Sequence, residues 1–151
     1  MKLAEALLLR SEYQTKIESL RGRILANIKV QENDKPLESP QDLIAAVFEL
    51  NKELCALIQQ INACNNKTML PNGMTLSEAI VERDMIMKKR NILVSVASIA
   101  QGKDYRLTHT EVKMTVSVSV EEIHKQIDDL SKQFRELDTQ IQGVNWTTEM
   151  V

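Results

Sequence analysis

The chain has 151 residues, of which 43% are hydrophobic and 26% charged but only 3% aromatic. Its 4 Gly and 3 Pro supply too few turns for a sandwich or barrel, and its apolar fraction is too high for a disordered chain. With 19 basic against 21 acidic side chains the net charge is −2, without the positive excess of a general nucleic-acid binder. What remains is a helical protein whose core is built from Leu, Ile, Val, Ala and Met.

Residues 2–29 form the first predicted helix, with Leu3, Ala6, Arg10, Tyr13, Ile17, Leu20, Ile24 and Asn27 at alternating steps of three and four. A polar loop follows. Ser39-Pro40-Gln41-Asp42 then opens a helix over 40–65: Ser39 is placed to cap, and Pro40 suits the first helical position. Leu43, Val47, Leu50, Leu54, Leu57, Ile61 and Cys64 make an unbroken seam on it. A second stripe of Ile44, Phe48, Cys55 and Ile58 runs alongside. A helix apolar over so wide an arc is either enclosed or meets another subunit, which makes Ile44, Phe48 and Ile58 candidate oligomer contacts.

Pro71-Asn72-Gly73 marks a turn, and Thr75-Leu76-Ser77-Glu78 is a capping box for a third helix over 76–101, terminated by Gly102. Its expected apolar face includes Leu76, Ala79, Ile86, Leu93, Val94 and Ala97, with Arg83 and Arg90 on the same side. Val112, Met114, Val116 and Val118 then alternate with polar residues, the period of a half-buried strand. With 104–108 as its antiparallel mate and a turn near His109, this predicts a β-hairpin arm over 104–118. A lone hairpin is marginal in water, so the arm must lie on the bundle or pair with another chain. Its four apolar residues therefore join the candidate oligomer interface. Ser119-Val120-Glu121-Glu122 caps a fourth helix over 120–142, after which Gly143 is expected to stop it and Trp146 to plug one end of the bundle. The expected fold is mainly α: a long, coiled-coil-like antiparallel four-helix bundle with a β-hairpin arm between its third and fourth helices, in one domain spanning 1–151.

Chemistry-bearing residues are sparse. His109, Glu111 and His124 are the metal candidates, but they lack the spacing of a zinc motif. The four glycines stand singly, so there is no phosphate-cradling loop, and neither a catalytic site nor a cofactor is expected. Cys55 and Cys64 lie about 13 Å apart on one helix, too far to bridge, and are expected to be free and buried. Arg10, Arg83 and Arg90 fall on seams. A guanidinium keeps its charge, so each must pair or reach the edge. The expected role is to fix helix register, with Glu12, Glu53, Asp84 and Asp138 as candidate partners. The uncharged run at 6–9 is shorter than a secretory core, and no stretch approaches a membrane span. These features predict a cytoplasmic chain without stable membrane insertion.

Several segments together carry a resemblance. They are Met1-Lys2-Leu3-Ala4-Glu5-Ala6-Leu7, Leu70-Pro71-Asn72-Gly73-Met74-Thr75-Leu76-Ser77-Glu78-Ala79-Ile80, Glu82-Arg83-Asp84, Thr110-Glu111-Val112-Lys113, Arg135-Glu136-Leu137-Asp138-Thr139-Gln140-Ile141-Gln142 and Asn145-Trp146-Thr147-Thr148. The series resembles the septicolysin-like family of small bacterial proteins. The resemblance implies a bacterial, helical, single-domain protein and, through the family label, a membrane-active cytolysin; it brings no catalytic residues. The residues themselves point to a non-enzymatic, self-assembling interaction protein, a homo-oligomer. A metal-dependent or small-ligand enzyme with an intersubunit site is the third reading.

Overall fold

The computed structural model describes residues 1–102 and 112–151. The chain is mainly α, with helices α1 (Leu3–Ala26), α2 (Pro40–Lys67), α3 (Leu76–Gln101) and α4 (Val120–Thr147). It divides into two compact units, Met1–Met69 with Gln142–Val151 and Leu70–Ile141. Helix α4 contributes to both.

In the first unit α1 and α2 run antiparallel around Leu20, Leu43 and Leu50, with Tyr13, Ile17, Ile24 and Val47 packed against that cluster. The expected seam of α2 is the face that is buried: Leu43, Leu50, Leu54, Leu57 and Ile61 all lie inside. Ser39 caps it as expected, its hydroxyl accepting the Asp42 N–H at 3.4 Å. Helix α1 stops at Ala26, earlier than its periodicity suggests, because Asn27 acts as a terminator. The Asn27 side-chain amide donates to the Arg23 carbonyl at 2.8 Å, and its Oδ1 accepts the Glu38 N–H at 3.2 Å. Arg23 in turn donates from Nε to Glu38 at 3.0 Å, so the turn between the helices is tied from both sides.

The carboxyl-terminal residues of this unit hold the start of α1. Leu3 donates its N–H to the Thr148 carbonyl at 2.9 Å, and Met150 donates to the Met1 carbonyl at 2.9 Å. Glu149 sits 2.7 Å from Lys2 Nζ and 3.1 Å from the Met1 amino group. The hydrogen bond from Lys2, and then that from the amino group, hold the Glu149 carboxyl below its ordinary value of 4.5. A lowered folded value means that the contribution is full above pH 4.5 and disappears as pH falls through the folded value. Glu149→Gln should therefore lower the thermal midpoint at pH 7 and make progressively less difference in acid. Parallel melting curves at pH 7 and pH 3 check this, and an equal difference at both would contradict it.

The second unit begins with a turn that needs glycine. Gly73 has φ of 87°, where a side chain would be strained. Its N–H donates to the Leu70 carbonyl at 3.0 Å, and Leu70 donates to the Met74 carbonyl at 2.8 Å. The Thr75 box then closes in both directions: Glu78 N–H to Thr75 Oγ1 at 3.1 Å, and Thr75 N–H to Glu78 Oε2 at 2.9 Å. Three contacts in descending order show that α3 and α4 are antiparallel. Arg83 meets Asp138 at 3.0 Å, Arg90 meets Ser131 at 2.7 Å and Gln101 meets His124 at 3.0 Å.

Several expectations are corrected. The β-hairpin arm is not seen: no strand occurs among the described residues, and 112–118 forms no ladder there. Its expected mate at 104–108 lies outside the described residues. Helix α4 passes through Gly143 and ends at Thr147, its last turn stitched by Thr147 Oγ1 donating to the Gly143 carbonyl at 3.0 Å. That continuation decides the fate of Trp146. Ile141 and Asn145, four residues apart, share the inward face, and Trp146 is turned about 100° away from Asn145. Trp146 is thus 57% exposed and plugs nothing. Cys55 and Cys64 are free, as expected, but Cys55 is exposed and Cys64 half-buried rather than both buried. Val94 is also exposed.

Candidate interaction surface

The described surface carries a run of exposed large apolar side chains. On α3 the buried face takes Leu76, Ala79, Ile86 and Ala97. A second line of large apolar side chains points outward: Val81, Met85, Ile92 and Ile99. Met85, Ile92 and Ile99 recur every seven residues, so they keep one angular position along the helix. Ile92 is 64% exposed and Ile99 is 83% exposed. This stripe was missed in the sequence reading, although its seven-residue recurrence was there to be found.

Two grooves open along it within the second unit. One, of about 480 Å³, lies between α3 and α4 with Ile92, Leu93 and Leu130 in its wall and Lys89 and Asp129 among its polar lining. The other, of about 530 Å³, is floored by Val96, Ile99 and Ala100 and edged by residues 114–118. All of 112–118 is exposed, polar and apolar positions alike, with Val112 at 85%. The alternation that reads as a half-buried strand thus has no buried side among the described residues.

The other expected contacts lie on α2 in the first unit. Phe48 is 68% exposed, while Ile44 and Ile58 are half-buried. Only Phe48 is therefore an open apolar face there, and Cys55 extends it by two turns.

The polar candidates resolve differently. Arg83 joins Asp138 across the helix pair and also Asp84 on its own helix, at 3.1 Å. Arg90 donates to the Ser131 hydroxyl rather than to an acid. Arg10 is half-buried on α1. Glu53, a candidate arginine partner, instead accepts a hydrogen bond from Tyr13. Desolvation first, and then that bond, raise the Tyr13 phenol above its ordinary value. Of the metal candidates, His109 and Glu111 lie outside the described residues. His124 Nε2 lies 3.0 Å from the Gln101 side-chain amide, across the helix pair. No group of three or more His, Cys, Asp or Glu side chains suited to a metal occurs among the described residues. Asn145 is buried at 5% exposure, and its Oδ1 lacks a partner among the described residues.

Comparison with known proteins places the chain. Residues 10–150 match a family of unknown function, DUF6847. The chain belongs to that family. It is also similar to a crystal structure described as that of a functionally unknown conserved protein from Corynebacterium diphtheriae. The two are 36% identical with a TM-score of 0.92, over 100% of this chain and 99% of that one. No curated protein matches.

These findings overturn the septicolysin-like resemblance: neither the family nor the similar structure points to septicolysin. Three of the segments that carried it are local devices. Residues 70–80 are a glycine turn and a capping box, 1–7 begin a helix, and 145–148 end one. Helical chains of many kinds use such devices, so they say little about ancestry. The cytolysin reading has no other support, and no helix among the described residues is long and apolar enough to cross a membrane.

Proposed function

We propose that the protein is a non-enzymatic, self-assembling interaction protein of the cytoplasm, with residues 1–151 acting as one helical domain. The observation that carries this reading is the outward stripe of α3, ending at Ile99 with 83% of its surface in solvent. A large aliphatic side chain gains about 1.5–3 kcal/mol when it is fully covered. A run of them on one face is a surface built to be covered. A stable pair needs each partner to cover about 800 Å². Phe48 on α2, with Ile44 and Ile58 at its margins, and the apolar residues of 112–118 supply further contact area. The inward arginines Arg10, Arg83 and Arg90 are assigned to fixing helix register.

Sedimentation velocity tests this. At micromolar concentration the chain is expected to sediment as a homo-oligomer, and Ile92→Glu should shift it toward monomer. A monomer at that concentration, in the unsubstituted chain, would refute the proposal.

A further inference from the structure

We infer that the α3–α4 pair packs face to face on the same pair of a second copy, about a two-fold axis parallel to the helices. The inference rests on the self-assembly reading and names one contact within it. Helix α4 carries an evenly spaced apolar seam of Ile123, Ile127, Leu130, Phe134 and Leu137, yet all five are only half-buried. Beside it on α3, Met85 and Ile92 are exposed and Leu93 is half-buried. A pair of helices is one layer, and a closed core needs a second.

Chain geometry limits what this copy can lay over that face. Gly102 and Met114 line one groove at the end of α3. The chain joining them can reach out about six residues before it must return, roughly 20 Å. Met85 stands about 26 Å from Gly102 along the helix. The half of the face around Met85, Lys88 and Leu137 is beyond that reach. Residues 114–118 edge α3 at Val96 and Ile99, so the contact is assigned to the other half, Val81 to Ile92 on α3 and Asp129 to Gln140 on α4.

Charge selects the second copy as the occupant. The Arg83–Asp138 and Arg90–Ser131 contacts fix the level of the two helices, so Lys88 and Lys89 stand level with Gln133 and Lys132. On α4, Glu122, Asp129 and Glu136 are exposed and recur every seven residues, an acidic line along one edge. Asp129 and Gln133 share a groove with Lys89. A two-fold axis parallel to the helices lays α3 of one copy antiparallel on α4 of the other and keeps every residue at its own level. Lys88 and Lys89 then fall between Asp129 and Glu136 of the second copy, about 4.5–6 Å from each along the axis. The symmetry makes this junction twice. An axis across the helices would instead lay α4 on α4 and set the acidic line against itself, which like-charge repulsion opposes. A closed pair cannot slide along its own two-fold axis, so the register is not free to shift.

Charge reversal and mixing test the arrangement by sedimentation equilibrium. Lys88→Glu with Lys89→Glu should raise the dissociation constant at least about tenfold, and so should Asp129→Lys with Glu136→Lys. All four side chains are exposed, so both variants are expected to keep their helices, which circular dichroism checks. Mixed one to one, the two variants should pair with each other within about threefold of the unsubstituted affinity, because both junctions then hold opposite charges again. A charge change acting within one copy would not be rescued by mixing. Variants that associate as well as the unsubstituted chain, or a mixture that stays monomeric, overturn this face. If the unsubstituted chain still sediments as an oligomer in that case, the self-assembly reading survives. A monomeric unsubstituted chain would end both and leave the groove to a helix of another protein.

Discussion

Replacing Leu50 with alanine is expected to cost about 2–5 kcal/mol and to lower the thermal midpoint by roughly 5–20 °C. Leu50 lies in the cluster with Leu20 and Leu43, wrapped by Tyr13, Ile17, Ile24 and Val47 from both helices of the first unit. Truncation leaves a cavity that two antiparallel helices cannot fill without breaking their seam. Phe48, two residues earlier and larger, is the control. Its ring is 68% exposed, so Phe48→Ala should change the stability of the isolated chain by no more than about 0.5 kcal/mol. Its effect should fall on assembly instead. Because assembly itself raises apparent stability by mass action, the comparison belongs at submicromolar concentration, with melting followed by circular dichroism. Equal losses from the two substitutions would mean that the face carrying Phe48 is part of the core.

What was legible in the sequence was whatever a helix states locally. The α2 seam from Leu43 to Ile61, the Ser39 and Thr75 caps and the glycine turn at Gly73 depend on residues within a few positions of one another. They formed as read. The α3 boundaries also agreed to the residue. The misreadings share another cause: a residue was interpreted by type where its phase or a distant partner decided. Asn27 falls on the expected seam of the first helix and is instead its terminator. Gly143 read as a stop, but a glycine costs an exposed helix interior only about 1 kcal/mol, less than the packing that carries α4 onward to Asn145. Trp146 read as a plug because it is large and apolar, yet helical phase turns it outward. The α3 stripe shares its helix with a second apolar face, and the sequence alone does not say which of the two is buried. The proposed contact surface is legible only in combination: periodicity shows that a stripe exists, and the fold shows which of two stripes remains uncovered.

The second large effect is expected at Arg83. Its side chain is 22% exposed and that of Asp138 is 32% exposed, and they meet at 3.0 Å between α3 and α4. Asp138→Ala should cost about 1.5–3 kcal/mol, because it strips an acceptor from a guanidinium that cannot discharge. Asp84→Ala removes the exposed partner on the same helix and should cost at most about 1 kcal/mol. Arg83→Met combined with Asp138→Leu should recover most of the loss, since an apolar pair of similar volume replaces a partly buried ion pair at little net cost. A double-mutant cycle by urea denaturation separates the pair term from the other contacts of Asp138. A coupling below about 0.5 kcal/mol would deny the pair any part in holding the helices. The spacing argues that the part concerns register. Arg83 and Arg90 are seven residues apart, as are their acceptors Asp138 and Ser131. Sliding α3 by one heptad in one direction sets Arg90 against Asp138 and Arg83 against Asn145. Sliding in the other sets Arg83 against Ser131 and Arg90 against His124, with no carboxylate for either. The observed register gives Arg83 a carboxylate and Arg90 a hydroxyl.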